Sequence, residues 1–253
     1  MGPLKESQRS SASLVVCNWK AYLGIEESVT LARNALALAR SHATALWIAP
    51  SMLSLGSVAQ AVRGSMVAVG AQNCFWDGKG AFTGECTADE LIELGCTFAI
   101  VGHSERRNLF GETSASAAKR AHALLRSGLG VICCVGESAH ERAQGHTLET
   151  ILEQLAPLFP APLARPGQMI IAYEPVWSVG SGQTPTASQI HEVHELIKTH
   201  AAQHVENLRV LYGGSVTAAN AAELARAPSV AGFLVGGAST KLDSLKALLD
   251  TLG

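Results

Sequence analysis

The residues of this chain that could do chemistry stand directly after short apolar runs. One such run ends in Asn18-Trp19-Lys20. At strand spacing Asn18 and Lys20 point the same way, so an amide and a cation can share one site. Taken alone, the pair reads more simply as a solvated loop lysine beside a capping asparagine. Another run passes through Gly102 into His103-Ser104-Glu105-Arg106-Arg107. A histidine at a helix start feels the positive end of the helix dipole. That favours a neutral imidazole, able to donate one hydrogen bond without acting as an acid at pH 7. A histidine satisfied as a helix cap fits the same residues. Glu105 and Arg106 read as a supporting ion pair rather than as reacting groups.

A third run ends in Tyr173-Glu174-Pro175-Val176-Trp177. A carboxylate beside aromatic and aliphatic neighbours can have a raised pKa and serve as a base. The stretch 178–185 that follows is rich in small residues and lies between Pro175 and Pro185. It could close as a lid hinged at its ends, or be an ordinary flexible loop. The last two runs end in Gly213-Gly214-Ser215 and Gly236-Gly237-Ala238-Ser239. Paired glycines expose backbone N–H groups, and a helical turn adds a favourable dipole, which together suit a phosphate. Tight turns alone would also select glycine, so each motif singly is weak. Both placed after the seventh and eighth strands of one barrel form a strong signal.

The elements that must position these groups are legible as alternation. Short apolar runs at 14–18, 45–49, 66–71, 98–101, 130–135, 169–173, 208–212 and 231–235 read as strands. Their continuous apolar character suits a parallel sheet buried on both faces. Between them, Thr87 with Glu90, Ser138 with Glu141, and Thr186 with Gln189 have the spacing of capping boxes at helix starts. Later helices are predicted over 217–225 and 240–249. Eight β-then-α units with no linker favour an α/β fold, a single (β/α)8 barrel over 14–253 preceded by a polar extension at 1–13. An open doubly wound sheet is the alternative. No GxGxxG follows the first strand and no GxxxxGK[S/T] occurs, so the usual nucleotide cradles are absent.

Composition bounds the function. The chain has 253 residues, 47% of them hydrophobic and 16% charged, which excludes a disordered or collagenous protein. Lys and Arg number 19 against 21 Asp and Glu. This balance lacks the broad cationic surface of a nucleic-acid or anionic-membrane binder. Arg33, Asn34 and Arg40 interrupt the richest apolar region, so no run is long enough to span a bilayer. Residues 1–13 lack the apolar core of a secretory signal, and the six cysteines form no CxxC pair. The expectation is a soluble cytoplasmic protein with reduced thiols. His191 with His194, and His200 with His204, have spacings that could bind metal, but read as a helix surface. Adjacent Cys133 and Cys134 in a strand would face opposite sides and pack rather than react.

From the first apolar run onward the sequence resembles the triosephosphate isomerases. The most specific stretches are Asn18-Trp19-Lys20, Gly70-Ala71-Gln72-Asn73, Phe82-Thr83-Gly84-Glu85, and those around His103, Glu174, Gly213 and Gly236. The resemblance implies interconversion of dihydroxyacetone phosphate and D-glyceraldehyde 3-phosphate, a step of glycolysis and gluconeogenesis, without metal or organic cofactor. It implies Glu174 as the base, and His103 and Asn18 as partners of the substrate oxygen. Lys20 would neutralise substrate charge and Glu105 would orient the active groups. Backbone amides of Gly180, Ser215, Gly236 and Gly237 would hold the phosphate. The pKa tuning and lid closure of this family are established examples of such chemistry.

The resemblance further implies a homodimer. The stretch 72–85 is long for a βα loop, and Phe75, Trp76 and Phe82 make it apolar. It would cross to the second subunit and bring Thr83 near the partner's Asn18, Lys20 and His103. Departures from the family occur at Cys17, where glycine is usual, at Ala21-Tyr22-Leu23, and at Ser178 and Gln183 of the lid. Another phosphate-binding barrel, such as an aldolase, would share the terminal glycine turns. It would not require Asn18, Lys20, His103 and Glu174 together. A barrel kept only as a binding scaffold would not require them either.

Overall fold

A computed structural model describes residues 14–160, 163, 168–178 and 183–253. The polar extension 1–13 and residues Val179, Gly180, Ser181 and Gly182 lie outside the described residues.

Eight parallel strands close into a barrel in chain order. They are β1 (Leu14–Asn18), β2 (Ala45–Ala49), β3 (Ala68–Ala71), β4 (Phe98–Val101), β5 (Gly130–Val135), β6 (Met169–Tyr173), β7 (Arg209–Tyr212) and β8 (Gly232–Val235). The ring closes where Leu14 of β1 pairs with Gly232 of β8. The period-two alternation of a strand sorts side chains into two cores. Leu14, Val16, Ile100, Ile132, Ile170 and Leu211 fill the barrel interior. Val15, Val131, Ile171 and Val210 face outward into the layer beneath the helices. Cys133 packs in the outer core and Cys134 in the inner one, as strand geometry requires.

The helices of the outer layer, among the described residues, are α1 (Ile25–Ser41), α2 (Met52–Ala61), α3 (Ala88–Glu93), α4 (Ser104–Phe110), α5 (Ser114–Ser127), α6 (Ala139–Ala143), α7 (Thr147–Leu155), α8 (Ala187–Ala201), α9 (Ala221–Leu224) and α10 (Leu242–Leu252). All three capping boxes form, at the starts of α3, α6 and α8. None of the described helices is long and apolar enough to cross a membrane.

β8 starts one residue later than the sequence reading, at Gly232, and the last helix runs over Leu242–Leu252 rather than 240–249; three further boundaries differ for local reasons. β3 starts at Ala68 rather than Met66, because the Ser65 hydroxyl accepts the Val67 N–H at 3.1 Å and holds a turn there. β7 starts at Arg209 because Asn207 is in the left-handed region, at φ 54°. The helix expected from Thr217 begins only at Ala221, since Asn220 Oδ1 accepts the Thr217 N–H at 2.8 Å in a competing side-chain turn.

His194 on α8 is fully buried, against the expectation of a solvated surface. Its Nδ1 donates to the Ser229 carbonyl at 3.1 Å, and its ring meets Tyr173 edge-on with centroids 5.9 Å apart. Burial pushes its pKa down to about 4. An unfolded histidine titrates near 6.5, so the unfolded chain binds the extra proton first and stability is lost as pH falls below that value. By pH 4.5 the cost should reach about 2.5 kcal/mol. Urea unfolding at pH 7 and 4.5 checks this. Wild type should lose about that much more stability than His194→Gln, whereas equal losses would contradict it.

Candidate active site

The C-terminal ends of the strands open on a cavity of about 410 Å³. Asn18, Lys20, His103, Glu105 and Glu174 line it, together with Ser215, Gly236 and Gly237 of the two glycine turns. Every site residue expected from the sequence is therefore in one cavity, except Gly180, which lies outside the described residues.

Asn18 ends β1, and its Oδ1 accepts the Lys20 N–H at 3.1 Å. Lys20 has φ 49°, a left-handed backbone that costs a non-glycine residue energy and persists only where the surroundings enforce it. Gln72 enforces it. Its Nε2 donates to the carbonyls of Lys20 at 2.9 Å and Ala49 at 3.0 Å, tying the β1 loop to β2 and β3. The Lys20 ammonium then reaches Glu105 Oε1 at 2.5 Å. Glu105 does not pair with Arg106. Adjacent helix residues point in different directions, and Arg106 turns to the buried Glu112 at 3.0 Å.

His103 caps α4, as one reading of the sequence held, and its Nδ1 accepts the Glu105 N–H at 3.2 Å. A proton on Nδ1 would set two donors against each other, so the neutral ring carries its proton on Nε2. That nitrogen lies 3.0 Å from Glu174 Oε1. Glu174 Oε2 accepts the Ser104 N–H at 2.9 Å. The facing pair reverses both pKa expectations. Burial would lower the His103 pKa, but the Glu174 carboxylate and its hydrogen bond raise it above the ordinary value. Burial would raise Glu174, but the charge and hydrogen bond of His103, the Ser104 N–H and Lys20 hold it below the ordinary carboxylate range. The apolar neighbours that suggested a raised Glu174 pKa are outweighed by polar partners contributed by other elements.

Gly213 serves Glu174 more directly than it serves a phosphate. A Cβ at that position would stand 2.8 Å from Glu174 Cγ, so only glycine leaves the carboxylate its place. The second glycine turn folds as a 3-10 turn over Gly237–Ser239, where the Ser239 hydroxyl meets the Gly236 carbonyl at 2.7 Å.

One buried group escaped the sequence reading. Glu137, which follows the β5 run just as His103 follows that of β4, is fully buried. Its carboxylate accepts the Tyr173 hydroxyl at 3.1 Å, the Trp177 indole N–H at 2.9 Å and the Arg142 guanidinium at 3.0 Å. It thus anchors the chain on both sides of Glu174. Among the described residues, no group of three or more His, Cys, Asp or Glu side chains could hold a metal ion.

Comparison with known proteins agrees with this architecture. The family model described as triosephosphate isomerase matches residues 13–252. A triosephosphate isomerase of Acetivibrio thermocellus is 42% identical over 235 residues, covering 90% of this chain and 94% of its own. One from Rhodopirellula baltica is 40% identical over 243 residues, covering 93% and 96%. One from Geotalea uraniireducens is 38% identical over 239 residues, covering 91% and 95%. With a barrel of the expected kind and a match along nearly its whole length, the chain belongs to the triosephosphate isomerase family and is an isomerase of triose phosphates.

Proposed function

We propose that Glu174 is the base that moves a proton between the two adjacent carbons of the triose phosphate. The supporting observation is its placement in the same cavity as the Lys20 ammonium, 3.0 Å from His103 Nε2. Converting dihydroxyacetone phosphate to D-glyceraldehyde 3-phosphate removes a proton from C1 and returns one to C2. Oxidation at one carbon balances reduction at the next. Glu174 takes the C1 proton and the electron pair forms the enediolate. Negative charge grows on the carbonyl oxygen, where the His103 Nε2–H and the Asn18 amide can donate. Once Glu174 turns from His103 to substrate, the main influence that raised the His103 pKa is withdrawn and the weaker one of Glu105 remains. Burial and Lys20 then favour the neutral imidazole, which donates without giving up its proton at the start. The protonated Glu174 returns its proton to C2, while the C1 hydroxyl proton passes to the C2 oxygen by way of His103 Nε2, leaving C1 as the aldehyde carbonyl.

Lys20 balances the dianionic substrate, and Glu105 holds the ammonium in place. The amides of Ser215, Gly236 and Gly237, at the mouth of the same cavity, bind the phosphate. Gly180 is assigned to the same phosphate by resemblance alone. The binding energy of that remote group can be spent on orienting the reacting carbons. A coupled assay with D-glyceraldehyde 3-phosphate tests the reading. Turnover should be rapid and inhibited competitively by inorganic phosphate, and absence of turnover would refute it.

The working unit in this reading is a homodimer. Phe75 packs with tilted rings against Trp76 and Phe82 at centroid distances of 4.4 and 4.5 Å, and the Arg120 guanidinium lies 4.6 Å from the Trp76 ring centroid. These contacts hold the base of the loop while its tip, 77–85, stands exposed. Leu109 and Phe110 on α4 are also exposed, at 73% and 69%. A two-fold interface would bury both sets at once. Thr83→Arg should therefore weaken association and activity together, read by light scattering and assay over one concentration range. A stable dimer indifferent to the change would move the interface elsewhere. A fully active wild-type monomer would remove it. The six free thiols support a reducing compartment, the cytoplasm.

A further inference from the structure

The catalytic base sits on a short backbone rail. Glu174 N–H donates to the Val135 carbonyl at 2.8 Å, and Val176 N–H donates to the Glu137 carbonyl at 3.0 Å. These bonds extend the β5–β6 pairing beyond the strands. Between the two anchor points lies Gly136, so close to β6 that an added Cβ would collide with the Glu174 carbonyl. Gly136 makes neither rail bond itself. Its N–H and C=O are both taken by Gln154 on α7, whose Oε1 accepts the N–H at 2.9 Å and whose Nε2 donates to the C=O at 2.9 Å. One side-chain amide thus satisfies both the donor and the acceptor of Gly136 just past the end of β5.

Beside this contact is a second cavity of about 220 Å³, lined by Gly136, Gln154, Ser104 and Glu174 among others. The Gly136 peptide, pressed against Glu174 on one side, therefore has open space beside it on another, where Gln154 reaches it. We propose that Gln154 is a positioning residue for proton transfer, setting the rail against which the Glu174 backbone rests. This rests on Glu174 being the base. The chemistry is sensitive to such a residue, because displacing a reacting group by a fraction of an ångström from its attack position lowers the rate steeply. Phosphate binding is not, because its turns follow β7 and β8 and touch neither Gln154 nor Gly136.

The test compares Gln154→Met, which keeps the length and loses both hydrogen bonds, with Gln154→Glu, which keeps an acceptor for the Gly136 N–H and loses the donor. The Met variant should lower kcat by about tenfold or more, with KM and inhibition by inorganic phosphate unchanged. The Glu variant should fall between it and wild type. Affinity for 2-phosphoglycolate, whose carboxylate stands in for the enediolate, should weaken in the same order. Unchanged kcat with only a lowered Tm would make Gln154 a structural strut and overturn the proposal. Parallel loss of phosphate affinity would overturn it too, by showing general damage to the cavity. Should the Met variant fail to fold, the Glu variant alone decides by the same split. Glu174→Gln is assayed alongside. If it retains turnover, the failure lies with the assignment of the base, whatever the Gln154 variants show.

Discussion

Glu174→Gln should lower kcat by at least about two orders of magnitude. The amide matches the carboxylate in shape and its oxygen can still accept the Ser104 N–H, while its NH2 replaces the acceptor that faced His103 Nε2, so the cavity should persist. It cannot accept a proton from carbon. Inorganic phosphate, held across the cavity, should bind as it does to wild type. The substitution also removes the larger of the influences that raise the His103 pKa, leaving the weaker one of Glu105. Burial and Lys20 then prevail, and the histidine should titrate below its ordinary value near 6.5. Heteronuclear NMR across a pH series reads this directly. Near-wild-type turnover in a preparation free of host enzyme would show that Glu174 is not the base. A His103 pKa left unchanged in the variant would show that the two side chains do not face each other in solution.

Lys20→Met should be nearly as damaging, by a different route. Among the described residues lining the cavity, Lys20 is the one that carries a fixed positive charge, while Glu105 and Glu174 are both acidic. Without the ammonium, a dianionic substrate would enter a site of its own sign. Charge-assisted contacts of this kind contribute about 3 kcal/mol, so kcat/KM should fall by roughly two orders of magnitude or more. Unlike Glu174→Gln, this variant should also lose affinity for inorganic phosphate. Methionine keeps an unbranched side chain on the left-handed backbone that Gln72 holds, so misfolding should not confuse the result. A KM within about twofold of wild type would remove Lys20 from substrate binding.

The two variants probe what was most and least legible in the sequence. β1, β2, β4, β5 and β6 follow the apolar runs residue for residue, because strands buried on both faces carry no polar interruptions. A barrel sends the residues just after such strands to one rim, so Asn18, Lys20, His103 and Glu174 could be grouped by position alone. What those side chains do to one another was not legible. Lys20 meets Glu105 from 85 residues away, and the facing of His103 and Glu174 reverses the pKa shift that the neighbours of each in sequence suggested. Least visible were the groups that act on another element's backbone. Gln72 holds Lys20, and Gln154 holds Gly136. Nothing in the residue type of a glutamine tells which carbonyl it will reach. His194 shows the same limit, since its i,i+3 spacing with His191 describes a helix surface while the fold turns it into the core.

Proton transfer through a single carboxylate leaves an isotopic record. Dihydroxyacetone phosphate incubated with the protein in D2O should yield D-glyceraldehyde 3-phosphate bearing deuterium at C2, because the proton held by Glu174 exchanges with solvent before it is returned. Deuterium should also accumulate at C1 of the remaining substrate, and both signals should disappear with Glu174→Gln. Turnover that brings no solvent hydrogen into the product, or exchange that continues undiminished in Glu174→Gln, would contradict the assignment of the base.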